Sequence, residues 1–283
     1  MNPLISAADL SDLLATGAPV RLLDVRYRLD EPDGRPAYLA GHLPGAVYVD
    51  MDTELAHIGA PAQGRHPLPP VDDLQASARR WGLNPGEVVV AYDDWNMMGA
   101  ARAWFLLRGC GIDDVRVLDG GLRAWRDAGG KLETGEVRPA PGTVVLHEIT
   151  QGVASIDEAA AWPARGVLLD VRAPERYRGE SEPLDPVAGH IPGAVNLPST
   201  VHLRDGRFAD AAAIRDAFAA AGATDAVPVA AYCGSGVTAA HTALAGAVAG
   251  IDVTVYPGSW SQWSNTPGRD VATGTESAAT GSA

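Results

Sequence analysis

The chain repeats itself, and that repetition limits its architecture more than any other feature. "RLLDVR" at 21–26 returns as "VLLDVR" at 167–172, and "AGHLPGAVYVD" at 40–50 returns as "AGHIPGAVNLP" at 188–198. "VVVAYDD" at 88–94 lines up with "VPVAAYC" at 227–233, and "VLDGGLRAW" at 117–125 with "VYPGSWSQW" at 255–263. Four landmarks in one order at a nearly constant offset mean two copies of one domain. A length of 283 residues, 46% of them hydrophobic, suits two packed cores.

Each copy follows the same plan. A short apolar run, "LLDV", ends in charge, and the H-x-P-G-A segment turns the chain into another short strand. A helical stretch follows: "VDDLQASARRWGL" in the first copy, "DAAAIRDAFAAAGA" in the second. A strand, a helix and a last strand complete the copy. Short apolar runs bounded by Gly and Pro, alternating with helical stretches, predict an α/β fold with a mostly parallel sheet flanked by helices. The expected organisation is a first domain over 1–132, a Gly/Pro-rich linker over 133–147, a second domain over 148–271 and a disordered, low-complexity tail over 272–283.

A net charge of −13 argues against a nucleic-acid partner, which needs cationic contacts to phosphate. No basic, apolar leader opens the chain and no run of 18 apolar residues occurs, so neither a secretory signal nor a membrane span is expected. Two cysteines are too few for a disulfide framework, and a reducing cytoplasm is the expected compartment. No metal-ligand pattern is visible, and no cofactor is expected.

The two cysteines differ in setting. Cys233 lies between the strand "VPVAAY" and the helix "VTAAHTALAGAVAG", in the loop "CGSG". Beyond the carboxyl end of a parallel strand, loop amides and a helix N-terminus converge and favour an anion. Those surroundings favour a thiolate over a thiol and make Cys233 a candidate nucleophile. A free cysteine is otherwise often a buried apolar residue, and Cys110 in "LLRGCGI" keeps that reading. The repeat supplies a control: the first copy carries Asp93 where the second carries Cys233, so the scaffold does not need a cysteine there for packing. A cysteine phosphatase would use a similar nest, but needs an arginine about six residues on to clamp phosphate, and position 239 is alanine. A non-catalytic binding module would have no use for the retained cysteine and its glycine loop.

Duplicated "LDVR…GHIPGA" segments with "YCGSGVTA" in the second copy resemble the tandem-domain rhodanese sulfurtransferases over nearly the whole chain. The resemblance implies that the second domain is catalytic through Cys233 and that the first, with Asp93, is silent. Gly234 and Ser235 follow the cysteine where thiosulfate-specific members carry cations, so the loop is more similar to that of 3-mercaptopyruvate sulfurtransferases. The implied chemistry is attack of Cys233 on the donor's sulfur, release of pyruvate, and a persulfide then unloaded onto a thioredoxin, a small thiol or cyanide. Thiosulfate:cyanide transfer is the alternative. Ser235 and Thr238, with the amides of Gly234, Gly236 and Val237, would hold the sulfur anion and steer protons. Arg176 matches an arginine that binds the donor's carboxylate. A second arginine of that family is replaced here by Leu184 or Asp185, with Arg178 the candidate to stand in. Some members carry a serine–histidine–aspartate relay, for which Ser235, His42 and Asp33 are the candidates. His42 also has a structural reading, because His190 occupies the same motif in the other copy. One chain suffices for this chemistry, so a monomer is expected.

Overall fold

The structure, a computed structural model, describes residues 2–275. Two compact units emerge among the described residues: one of residues 2–57, 68–150 and 205–208, the other of 58–67, 151–204 and 209–275. Each is built around one parallel sheet, as the apolar runs predict.

In the first unit the strand order is Leu4–Ile5, Val115–Leu118, Val88–Tyr92, Val20–Asp24, Val47–Tyr48. In the second it is Val253–Val255, Val229–Tyr232, Val167–Asp170, Val195–Asn196. Every pairing in both sheets is parallel, with Leu22 opposite Val90 in one and Leu168 opposite Ala230 in the other. Among the described residues the second sheet has no counterpart of the Leu4–Ile5 strand; a single parallel bridge from Val153 to Val255 stands in its place.

The cores repeat as well. Leu22, Leu43, Val90, Tyr92, Leu122 and Trp125 cluster in the first unit, while Leu168, Ile191, Ala230, Tyr232, Trp260 and Trp263 cluster in the second. The H-x-P-G-A motif is tied to the sheet in the same way in both. The Leu43 amide donates to Tyr92 Oη and the Ile191 amide to Tyr232 Oη, each at 3.0 Å. His42 Nδ1 lies 2.9 Å from the Tyr38 carbonyl and stacks on that ring; His190 does the same with Tyr177 at 2.8 Å. Arg26 forks onto Asp24 and donates to the Gly41 carbonyl, and Arg172 forks onto Asp170 and donates to the Gly189 carbonyl. These buried pairs close the carboxyl end of a central strand onto the turn beside it, and each charge finds its partner in the pair.

The stretch expected to be a linker packs on the first unit: the Val144 amide donates to Leu83 and the His147 amide to Cys110. The first residues of the expected tail are ordered too, since Ala272 and His190 exchange backbone hydrogen bonds of 2.8 and 3.0 Å and the Gly274 amide donates to Arg178. Residues 276–283 of that stretch lie outside the described residues. No helix among the described residues is long and apolar enough to cross a membrane.

Candidate active site

Cys233 follows the Val229–Tyr232 strand directly, and the 13-residue helix Val237–Ala249 begins four residues later. The loop is held from below by the segment 256–261. The Tyr256 amide donates to Ala231, Trp260 to the Cys233 carbonyl and Ser261 to the Gly234 carbonyl. Ser259, at φ +54, accepts from the Cys233 amide at 3.1 Å. This support places the thiol at the helix mouth, where the Gly236 amide donates to Cys233 Sγ at 3.0 Å. Gly236 has φ +85, and a Cβ there would stand 2.4 Å from the Pro257 carbonyl oxygen, so only glycine fits. Cys233 itself is 2% exposed.

The first unit shows what such a loop holds. Asp93 takes the cysteine's place, and its carboxylate accepts the amides of Trp95, Met97 and Ala100 at 2.8, 2.9 and 2.9 Å. Met97 directly precedes its helix, as Gly236 does, and shares its left-handed backbone. The same amide therefore meets a carboxylate in one copy and sulfur in the other. Burial pushes the Asp93 carboxyl up to about 6, against the pull of its three amides. Cys110 stands apart from all this: it caps the end of the Met98–Gly109 helix, and burial pushes its thiol up to about 11.

Among the other sequence candidates, Ser235 is buried and its Oγ lies 2.8 Å from His66 Nδ1. Thr238 sits half-buried in the first helical turn, and Val237 opens that helix. Over Gly234 two guanidiniums converge: an ideal Cβ there would lie 3.2 Å from Arg65 Nη2 and 3.4 Å from Arg176 Nη1. Arg176 is aimed by Glu182, which takes Nη2 at 2.6 Å and Nε at 3.2 Å. Arg178 is instead paired with Glu180 on the exposed surface. His42 and Asp33 are engaged inside the first unit, His42 with Tyr38 and Asp33 with the Arg35 amide.

Arg65 and His66 are absent from the sequence-derived candidates. They lie in 58–67, which carries no repeat landmark and packs with the unit that holds Cys233. The Arg65 amide donates to Ser261 Oγ, and the Ala62 carbonyl accepts from Gln262, which pins the segment beside the loop. Trp260 is fully buried under the loop, with Arg172 stacked 4.6 Å from its ring.

A rhodanese-like domain model matches residues 6–128 and again 155–266. The chain belongs to the rhodanese family. It is 50% identical over 276 residues to the Mycobacterium tuberculosis protein named "Putative thiosulfate sulfurtransferase SseB", covering 96% of this chain and 97% of that one. It is 31% identical over 252 residues to the 3-mercaptopyruvate sulfurtransferase of Escherichia coli, covering 86% and 89%. The crystal structure of SseA from Escherichia coli, described as a 3-mercaptopyruvate sulfotransferase with the rhodanese fold, superposes with a TM-score of 0.83 at 29% identity, covering 92% of this chain and 99% of that one. The chain is thus a two-domain rhodanese-family sulfurtransferase.

Proposed function

We propose that this sulfurtransferase moves the sulfur of 3-mercaptopyruvate to a thiol or cyanide through a persulfide on Cys233. The Cys233 thiolate attacks the donor's sulfur, the carbon–sulfur bond breaks, and its electron pair passes to C3 as the enolate of pyruvate. The thiol proton of the donor ends on C3, which leaves a persulfide anion and pyruvate. Ser235 and His66, 2.8 Å apart, form a route for that proton. The Gly236 amide and the helix start stabilise negative charge on sulfur. Arg176 and Arg65 hold the donor's carboxylate. A thiol such as thioredoxin or a small thiol, or cyanide, then takes the outer sulfur and restores the Cys233 thiolate.

The observation that carries this reading is the Gly236 amide on Cys233 Sγ at 3.0 Å, matched in the silent copy by Met97 on the Asp93 carboxylate. All the residues of the reading come from one chain, so a monomer suffices, and a reducing compartment such as the cytoplasm keeps the thiol free. Thiosulfate is a second donor reading, favoured by the name of the M. tuberculosis relative. There the thiolate attacks the sulfane sulfur and sulfite leaves with the bond pair.

Intact-mass measurement tests the reading. After 3-mercaptopyruvate the protein should gain one sulfur atom, lose it on adding a thiol, and gain none as Cys233→Ser. Loading that survives Cys233→Ser would defeat it.

A further inference from the structure

Leu184 and Asp185 lie where the family resemblance places a second arginine, and the Asp185 carboxylate faces the arginines of the site. Asp185, 2% exposed, accepts from Arg65 Nη1 and lies 3.5 Å from Arg176 Nη2. Glu182 binds Arg176 at 2.6 Å and Arg172 at 3.3 Å, and Arg172 binds Asp170 at 2.6 Å. Arg65, Arg172 and Arg176 therefore meet Asp170, Glu182 and Asp185, with no net charge left over. Arg65 and Arg176 are the exposed members, at 31% and 17%, and each turns one Nη towards Gly234 beside the nucleophile. Arg65 Nε is buried without a hydrogen-bond partner among the described residues, and neither Arg65 Nη2 nor Arg176 Nη1 is bonded to a carboxylate there.

We propose that Asp185 sets donor selectivity: by cancelling one charge of the Arg65–Arg176 pair, it favours a monoanionic α-keto acid thiol over a dianion such as thiosulfate. The inference rests on the proposed use of an anionic sulfur donor at this site. Its logic is electrostatic. A fixed negative charge changes the local potential by one amount, and a dianion feels that amount twice. Removing the charge must therefore tighten the dianion by the square of the factor gained by the monoanion. The two arginines supply direct hydrogen bonds to either donor, so they set the pose and Asp185 sets the preference between charges.

Binding can be measured without turnover in a Cys233→Ser background, by calorimetry with thiosulfate and with 3-mercaptopyruvate. Asp185→Asn, close to isosteric, should tighten 3-mercaptopyruvate by about threefold and thiosulfate by about tenfold. Arg65→Gln should move the ratio the other way, weakening thiosulfate more. In the active enzyme, kcat/KM for the two donors should shift by the same ratio. An unchanged ratio of the two affinities in Asp185→Asn overturns the inference, as does equal weakening of both donors, which would make Asp185 only a support for Arg65. The outcomes separate from those of the parent reading. A shifted binding ratio in a protein that forms no Cys233 persulfide would leave the selectivity and remove the sulfur transfer.

Discussion

His66 Nδ1 lies 2.8 Å from Ser235 Oγ, although 169 residues separate them in the chain. The serine follows Cys233 by two positions, and the histidine arrives from the stretch 58–67, outside the second copy of the repeat. In the proposed function this contact is a proton route that only one of the two candidate donors needs. Release of an enolate requires a proton on carbon; release of sulfite does not.

Replacing His66 with Gln should therefore separate the donors. General acid–base groups contribute about 10²–10⁴-fold, so kcat for 3-mercaptopyruvate should fall by at least about a hundredfold. Turnover of thiosulfate should change by less than tenfold, or about 1.4 kcal/mol. Steady-state kinetics with both donors and a common acceptor read the split directly. Equal losses would reduce His66 to a support for the loop.

The Arg176 guanidinium is held along its Nε/Nη2 edge by Glu182 and keeps Nη1 over Gly234. Arg176→Ala should raise KM for 3-mercaptopyruvate with a smaller effect on kcat. A hydrogen bond to a charged group is worth roughly 1.5–3 kcal/mol, which corresponds to a KM increase of about 10–100-fold. Arg176→Lys should recover only part of it, because a point charge cannot use Glu182 on one edge while presenting another. A KM unchanged in Arg176→Ala would remove Arg176 from the site.

What could be read from sequence divides along one line. His42 and His190 occupy the same motif in the two copies, so a structural reading of them was legible, and the exchange of Asp93 for Cys233 marked the candidate nucleophile. Arg65 and His66 occur once, in the stretch 58–67 between landmarks. Their place beside the Cys233 loop depends on which unit that stretch packs with, which is a tertiary fact that local propensity and spacing do not encode. The missing second arginine was legible as Leu184 or Asp185; the proposed counter-charge role of Asp185 needed the position of Arg65.

Asp93 makes the first unit's stability depend on pH in a direction unusual for an aspartate. Its folded pKa, about 6, lies above the value near 3.9 of an unfolded aspartate. The folded state thus holds the proton more tightly, and the stability this adds is complete below about pH 4 and lost as pH rises through 6. The window of about two units corresponds to roughly 3 kcal/mol. Asp93→Asn should flatten the fall in Tm between pH 4 and 7. It should also be less stable overall, because an amide nitrogen cannot accept the Ala100 amide as the second carboxylate oxygen does. A variant that keeps the wild-type slope would assign the pH dependence to another group.

His202 gives the second unit the opposite slope. Its ring is fully buried, stacked 5.0 Å from Phe218, and neither ring nitrogen has a hydrogen-bond partner among the described residues. Burial pushes its pKa down to about 4. An unfolded histidine, near 6.5, takes up its proton first, so stability is full above about pH 6.5 and is lost as pH falls towards 4. Two and a half units correspond to roughly 3 kcal/mol. His202→Phe keeps the stack and removes one titration, so its Tm should fall less from pH 7 to 5 than that of the wild type, with buried His190, also pushed down, left to account for the remainder. Calorimetry across that range decides the point, since a variant that loses as much stability on acidification as the wild type would place the acid-sensitive group elsewhere in the unit.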